Sequence, residues 1–222
     1  MSDPTLNHHG HGAGGIGQAI VESLKAHGVT VAGTDQNACP NSDVSIVGDL
    51  MNAAFCDALP GNAREQLGGL DIVINNAGII RRGPVTDATD DDYATSFTIN
   101  VEAPFRICRT AIPLLAEAGG GAIVNTASIN GLSPGNMQGI YSISKAAVIS
   151  MTKSFAMECA EFNVRVNALL PGLTKTKFAG ALFQQEEIYK SAIAQIPMSM
   201  QPLARSRKSW RCPRSTFSTP RR

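Results

Sequence analysis

Short β-branched runs alternate along this chain with longer stretches of helical period, and that alternation limits the fold more than any other feature. The runs are Val29–Gly33, Val44–Val47, Leu70–Ile74, Ala122–Val124 and Val164–Leu170. Turn residues bound them: Leu70–Ile74 ends at Asn75-Asn76-Ala77-Gly78, and Val164–Leu170 ends at Pro171-Gly172. Helix-period stretches lie at 16–27, 51–66, 90–117, 138–161 and 178–195. Strand, helix, strand, helix requires right-handed crossovers and a parallel sheet covered on both faces. The prediction is an α/β fold, a doubly wound parallel sheet in three α/β/α layers. Composition agrees: 43% hydrophobic residues support a packed core, while 21 glycines and only 5% aromatics argue against a β-sandwich. Thr89 before Asp90-Asp91-Asp92 predicts a helix start, and Pro104 and Pro113 predict a bend or break within 90–117.

Charge divides the chain in two. Residues 201–222 hold seven of the 19 basic residues and no acid, leaving twelve basic against eighteen acidic residues in 1–200. We therefore read 1–200 as one domain, with 1–11 as an aberrant leader, and 201–222 as a disordered basic tail. The tail has no amphipathic pattern and no aromatic interleaving beyond Trp210 and Phe217, so neither nucleic acid nor membrane is expected as a partner. No apolar run is long enough to span a bilayer, and Met1-Ser2-Asp3-Pro4 opens no signal peptide. Five widely spaced cysteines, Cys39, Cys56, Cys108, Cys159 and Cys212, give the reading of a reduced, cytoplasmic protein. His8, His9 and His11 lack a nearby acid or cysteine, and no metal is expected there.

Three groups of residues carry chemistry. The glycine cluster Gly12-Ala13-Gly14-Gly15-Ile16-Gly17 precedes a helix, where free N–H groups and the helix dipole suit a pyrophosphate. Asp35 follows Gly17 by eighteen residues at a strand end, where a carboxylate binds ribose hydroxyls and repels a 2′-phosphate. That favours NAD over NADP. Tyr141 and Lys145 share one helix face, four residues apart, and Ser128 follows a strand. A phenol titrates near ~10, and an ammonium one turn away lowers that value. With a hydroxyl to hold the substrate oxygen, the set suits proton transfer between an alcohol and a ketone.

These residues, in this order, resemble the short-chain dehydrogenase/reductase family over residues 10–200. The matching elements are Gly15-Ile16-Gly17, Asp49-Leu50, Asn75-Asn76-Ala77-Gly78, Asn100, Ser128, Tyr141 through Lys145, Asn167, Pro171-Gly172 and Thr176. The resemblance implies a Rossmann-like sheet and an NAD-dependent oxidoreductase acting on a secondary alcohol or ketone. It implies Tyr141 as general acid/base, and Lys145 as the group that tunes the phenol and holds the nicotinamide ribose. Ser128 would orient the substrate oxygen, and Asn100 would complete a proton relay through water. Gly12, Gly15, Ile16, Gly17, Asp35, Asp49, Leu50, Asn76, Ala77 and Gly78 would line the cofactor, and Pro171, Gly172, Thr174 and Thr176 would meet its carboxamide end. Residues 177–196 match the family's substrate lid. A homodimer or homotetramer built on 90–117 and 138–161 is implied as well.

Both ends depart from the family pattern. An apolar first strand is replaced by Pro4 through His11, and burying each unpaired polar side chain there would cost ~2–7 kcal/mol. After Pro197 the family's last helix and strand give way to the basic tail. A shifted reading frame would account for it: the codons CCG-GAA-GAG-CTG, chosen for Pro-Glu-Glu-Leu and read one base late, give Arg-Lys-Ser-Trp, the residues at 207–210. Two other functions remain open at this level. One is a 3-oxoacyl-carrier-protein reductase, which Asp35 disfavours because that activity runs on NADPH. The other is an inactive or damaged protein that retains the fold. Arg81 and Arg82, after the Asn-Asn-Ala-Gly turn, could contact an acidic substrate or a partner subunit, and solvent exposure is the expectation.

Overall fold

The computed structural model describes residues 7–8 and 15–174. Strands β1 (Asn7–His8), β2 (Ala32–Asp35), β3 (Val44–Val47), β4 (Ile72–Asn75), β5 (Ile79–Ile80), β6 (Gly121–Thr126) and β7 (Val164–Leu169) alternate with five helices. The helices are α1 (Gly15–Ala26), α2 (Ala53–Leu67), α3 (Asp90–Phe97), α4 (Ala103–Glu117) and α5 (Gly139–Glu158). The α/β reading holds. The stretch 178–195, the tail and Cys212 lie outside the described residues.

The local signals act as expected. Thr89 caps α3 in a capping box: its Oγ1 accepts from Asp92 N at 3.1 Å, and Asp92 Oδ2 accepts from Thr89 N at 3.2 Å. Asn52 caps α2 by accepting from Phe55 N, and Gly68 closes that helix with a left-handed φ of 75°. Residues 90–117 are indeed divided. A π-helical segment, Thr98–Glu102, separates α3 from α4 and ends two residues before Pro104. Pro113 does not divide α4, which runs unbroken around it with Ala111 and Leu115 buried on either side. β2 begins three residues later than its apolar run. Val31 spends its N–H on the Asp43 carboxylate at 2.9 Å, and Val29 donates back to Leu24, so the start of the run is tied down outside the ladder.

The parallel strands form two separate sheets. β2 pairs with β3, and β4, β6 and β7 pair in the order β4-β6-β7. Among the described residues no strand joins β2 to β4. The expectation of an altered first strand is met in a particular form: Asn7–His8 pairs antiparallel with Ile79–Ile80 instead of entering a parallel sheet.

Helix α4 holds the halves together. Ile107 and Ala103 pack with Ile46, Leu50, Cys56 and Leu59 beneath the β2–β3 half. One residue along, Cys108 joins Ala111, Leu115, Ile123, Val164 and Val166 against the other half. Val73 of β4 touches both clusters. Outside this core, Asp57 of α2 pairs with Arg106 at 3.0 Å and Arg109 at 2.7 Å. The arrangement leaves the carboxyl ends of β4, β6 and β7 on one edge, where ligands bind in open parallel sheets.

Candidate active site

Ser128 is positioned by β7. The chain leaving β6 stays paired to it: Ala127 N donates to Leu169 O at 2.8 Å, and Ile129 N donates to Pro171 O at 3.2 Å. Ser128 lies between these two bonds in extended backbone. Its Oγ accepts from Asn130 N at 3.2 Å, and the hydroxyl lies near enough to the Tyr141 phenol to lower its pKa. A Cβ at Gly131 would lie 2.8 Å from the backbone carbon of Lys145 and 2.9 Å from Ala146 N. Only glycine lets this turn press so closely on α5.

Lys145 is buried, 3% exposed, and its Nζ donates to Thr126 O at 2.7 Å. It sits 5.8 Å from the Tyr141 ring centroid. Burial pulls its pKa down from the usual lysine value to about 8. An ammonium has three N–H groups, and among the described residues one acceptor is in reach. A Cβ at Gly78 would lie 3.2 Å from this Nζ and 3.2 Å from Asn100 Oδ1, so the glycine leaves both polar groups room. Unspent donors on a buried cation beside a bare backbone fit a ribose hydroxyl pair.

Asn100 sits in the π-helical segment, a feature frequent at functional sites. Its side chain is fully committed. Oδ1 accepts from Ile79 N at 2.8 Å, and Nδ2 donates to Ile79 O at 3.0 Å and Ser144 Oγ at 3.0 Å. The side chain clamps β5 rather than facing solvent. Its backbone carbonyl lies where the π-helical segment meets α4, four residues before Pro104, which has no N–H to offer an α-helical carbonyl.

Tyr141 differs from the sequence reading in its electrostatics. Burial dominates and pushes the phenol above its ordinary value; the Ser128 hydrogen bond and the Arg82 cation pull it down. The Arg82 cation acts on it from one side, and Lys145 Nζ stands 5.8 Å from its ring centroid. Arg81 also departs from expectation. Its side chain is 15% exposed and pairs with Asp92 at 3.0 Å.

The structure thus brings Gly78, Asn100, Ser128, Tyr141 and Lys145 into one cluster. Asn76 Oδ1 accepts from Thr126 Oγ1 at 3.4 Å beside it, with Ala77 between Asn76 and Gly78. Pro171 is the Ile129 partner, and Thr174 Oγ1 donates to Gly172 O at 3.1 Å. Asp35 ends β2 and accepts from Asn37 N at 3.2 Å. Asp49 accepts from Met51 N at 2.9 Å, and Leu50 is a buried core residue. Gly15, Ile16 and Gly17 open α1. Gly12 and Thr176 lie outside the described residues. Sequence reasoning missed Thr126, whose contribution is a backbone carbonyl, and Gly131, whose signal was its place three residues past Ser128. No group of metal ligands occurs among the described residues. No helix there is long and apolar enough to cross a membrane.

The family described as Enoyl-(Acyl carrier protein) reductase matches residues 12–205. The human protein "Dehydrogenase/reductase SDR family member 4" is 32% identical over 186 residues, 78% of this chain and 67% of that protein. The chain belongs to the short-chain dehydrogenase/reductase family. A tropinone reductase homolog of Arabidopsis thaliana is 32% identical over 201 residues, covering 84% of this chain and 76% of that one. The crystal structure of the TT0495 protein from Thermus thermophilus superposes with a TM-score of 0.83 at 31% identity, covering 88% of this chain and 83% of that one. As a family member, this chain is an oxidoreductase on a Rossmann-type fold, in a family that binds NAD(P) and acts on small molecules.

Two outcomes follow from this geometry. Gly131→Ala must push the Ser128 turn off α5, and kcat/KM should fall roughly 10- to 100-fold, as for a displacement near 1 Å. Steady-state kinetics read it, with circular dichroism confirming the fold. Lys145 has a lowered native pKa, so the unfolded chain binds the extra proton between about pH 8 and about pH 10.5, and native stability rises with pH there. The Tm of the unaltered chain should therefore climb relative to that of Lys145→Met across this window, measured by paired thermal melts.

Proposed function

We propose that this chain is an NAD-dependent oxidoreductase that interconverts a secondary alcohol and a ketone, with Tyr141 as the proton-transfer group. The observation that carries the reading is the buried Lys145, with unspent donors, 5.8 Å from the ring of a Tyr141 phenol on which Ser128 also acts. The nicotinamide, when bound, supplies or accepts the hydride. Lys145 and Gly78 would hold its ribose, Asn76 and Ala77 its backbone, and Gly12, Gly15, Ile16 and Gly17 its pyrophosphate. Asp49 and Leu50 would sit at the adenine, and Pro171, Gly172, Thr174 and Thr176 at the carboxamide.

The chain's own groups account for the proton. Tyr141 has a raised pKa, so at neutral pH the phenol keeps its proton and serves as the acid in ketone reduction. Ser128 donates to the same oxygen of the substrate and holds it against the phenol. As the phenolate forms, the Lys145 and Arg82 cations stabilise it. The Asn100 backbone carbonyl would hold a water that returns a proton through Lys145. Oxidation of the alcohol needs the phenolate and should gain from rising pH.

Asp35 supports NAD over NADP through repulsion of a 2′-phosphate. The described cysteines, Cys39, Cys56, Cys108 and Cys159, are all free and buried, in keeping with a cytoplasmic setting. Exposed Phe105, Ile143 and Met157 on α4 and α5 suit a homodimer or homotetramer.

A purified sample tests the reading. NADH at a hundredfold excess over Kd should stabilise the fold by about 2.7 kcal/mol, and NADPH should stabilise it less. Asp35→Ser should narrow the NADH preference in both binding and ketone reduction. No stabilisation by NADH, together with no reduction of any ketone in a varied panel, would contradict it.

A further inference from the structure

We propose that Arg82 anchors a carboxylate on the substrate, so that this site takes oxo acids and hydroxy acids in preference to neutral ketones. The inference rests on the dehydrogenase reading and names its substrate class.

The backbone around Arg82 is fixed on both sides. Upstream, Asn100 grips the N–H and C=O of Ile79. Downstream, Gly83 N donates to Met137 O at 3.0 Å and bridges to Gln138, the residue that precedes α5. Val85 lies against Gly139, where a Cβ would meet it at 3.2 Å. Residues 79–85 therefore form a strap laid across the first turn of α5, the turn that carries Tyr141. Successive side chains of an extended strap point to opposite sides. Arg81 takes one side and is spent on Asp92. Arg82 takes the other, where the Tyr141 phenol lies within electrostatic reach.

Arg82 is exposed, and among the described residues no carboxylate is paired with it. Its surroundings desolvate it enough to lower its pKa, and an anion would offset that cost. The planar guanidinium matches a carboxylate with two parallel hydrogen bonds. A phosphate dianion would call for a second cation, and the adjacent one is committed to Asp92. A carboxylate held by Arg82 would set the rest of the substrate beside the Ser128–Tyr141 pair.

Matched substrates test the assignment: levulinate and acetoacetate against their methyl esters, with NADH. The unaltered chain should favour the acids, and Arg82→Gln should lower the acid-to-ester ratio of kcat/KM roughly 10- to 100-fold, mainly through KM for the acid, with Arg82→Lys restoring part. An unchanged ratio overturns the proposal, as does a native preference for the esters. Dihydroxyacetone phosphate outperforming both acids relative to dihydroxyacetone overturns the choice of carboxylate. Calorimetric titration of levulinate into the NADH-loaded chain separates this from the parent reading. Arg82-dependent binding without turnover leaves the anchor standing and removes the activity, whereas turnover with Arg82-independent binding does the reverse.

Discussion

A lysine ammonium driven into the interior, against the carbonyl at the end of β6, is the contact on which the rest of the site depends. Lys145 reaches Thr126 O across the gap between α5 and the sheet. That single bond sets the helix against the strand from which Ser128 follows two residues later. It also requires a glycine at 131, where a Cβ would lie 2.8 Å from the Lys145 backbone, and leaves little room at 78, where one would lie 3.2 Å from the ammonium. Burying a cation with one bond made is unfavourable for folding. Its retention makes sense as preorganisation: the unspent donors and the charge are held where a dinucleotide and a developing phenolate would use them.

The same economy of space runs through the core. α4 packs neighbouring residues, Ile107 and Cys108, into different hydrophobic clusters, and so joins two sheets that no described strand joins. Polar groups inside the three-stranded sheet are satisfied rather than excluded. Asn75 donates to Asn125 at 2.8 Å, and Asn125 donates to Thr152 at 3.0 Å, across register partners of β4 and β6. Among the described residues helix packing joins the two sheets, while these side-chain bonds tie β4, β6 and α5 together on one side of that junction.

Much of this was legible in the residues. β3 falls on Val44–Val47 as its run does, and the Thr89 cap and Asp90-Asp91-Asp92 mark α3. The helical spacing of Tyr141 and Lys145 puts both on the buried side of α5. The missed features share a cause: each depends on a backbone group or on tertiary contact. Thr126 acts through its carbonyl, which any residue supplies. The two-residue β5 is too short to show a period and is held by Asn100. Burial of Arg81 depends on Asp92, eleven positions away, and the raised phenol depends on desolvation that pairwise spacing does not report. Pro113 broke the pattern on paper, yet packing of Ala111 and Leu115 carries the helix through it.

The central claim is that the Tyr141 oxygen carries the proton. Removing that one atom as Tyr141→Phe, and measuring ketone reduction at neutral pH alongside NADH-induced thermal stabilisation, tests it most directly. Turnover should fall by about 10²- to 10⁴-fold while the stabilisation by NADH persists. Turnover within about twofold of the unaltered chain, with cofactor still bound, would contradict it.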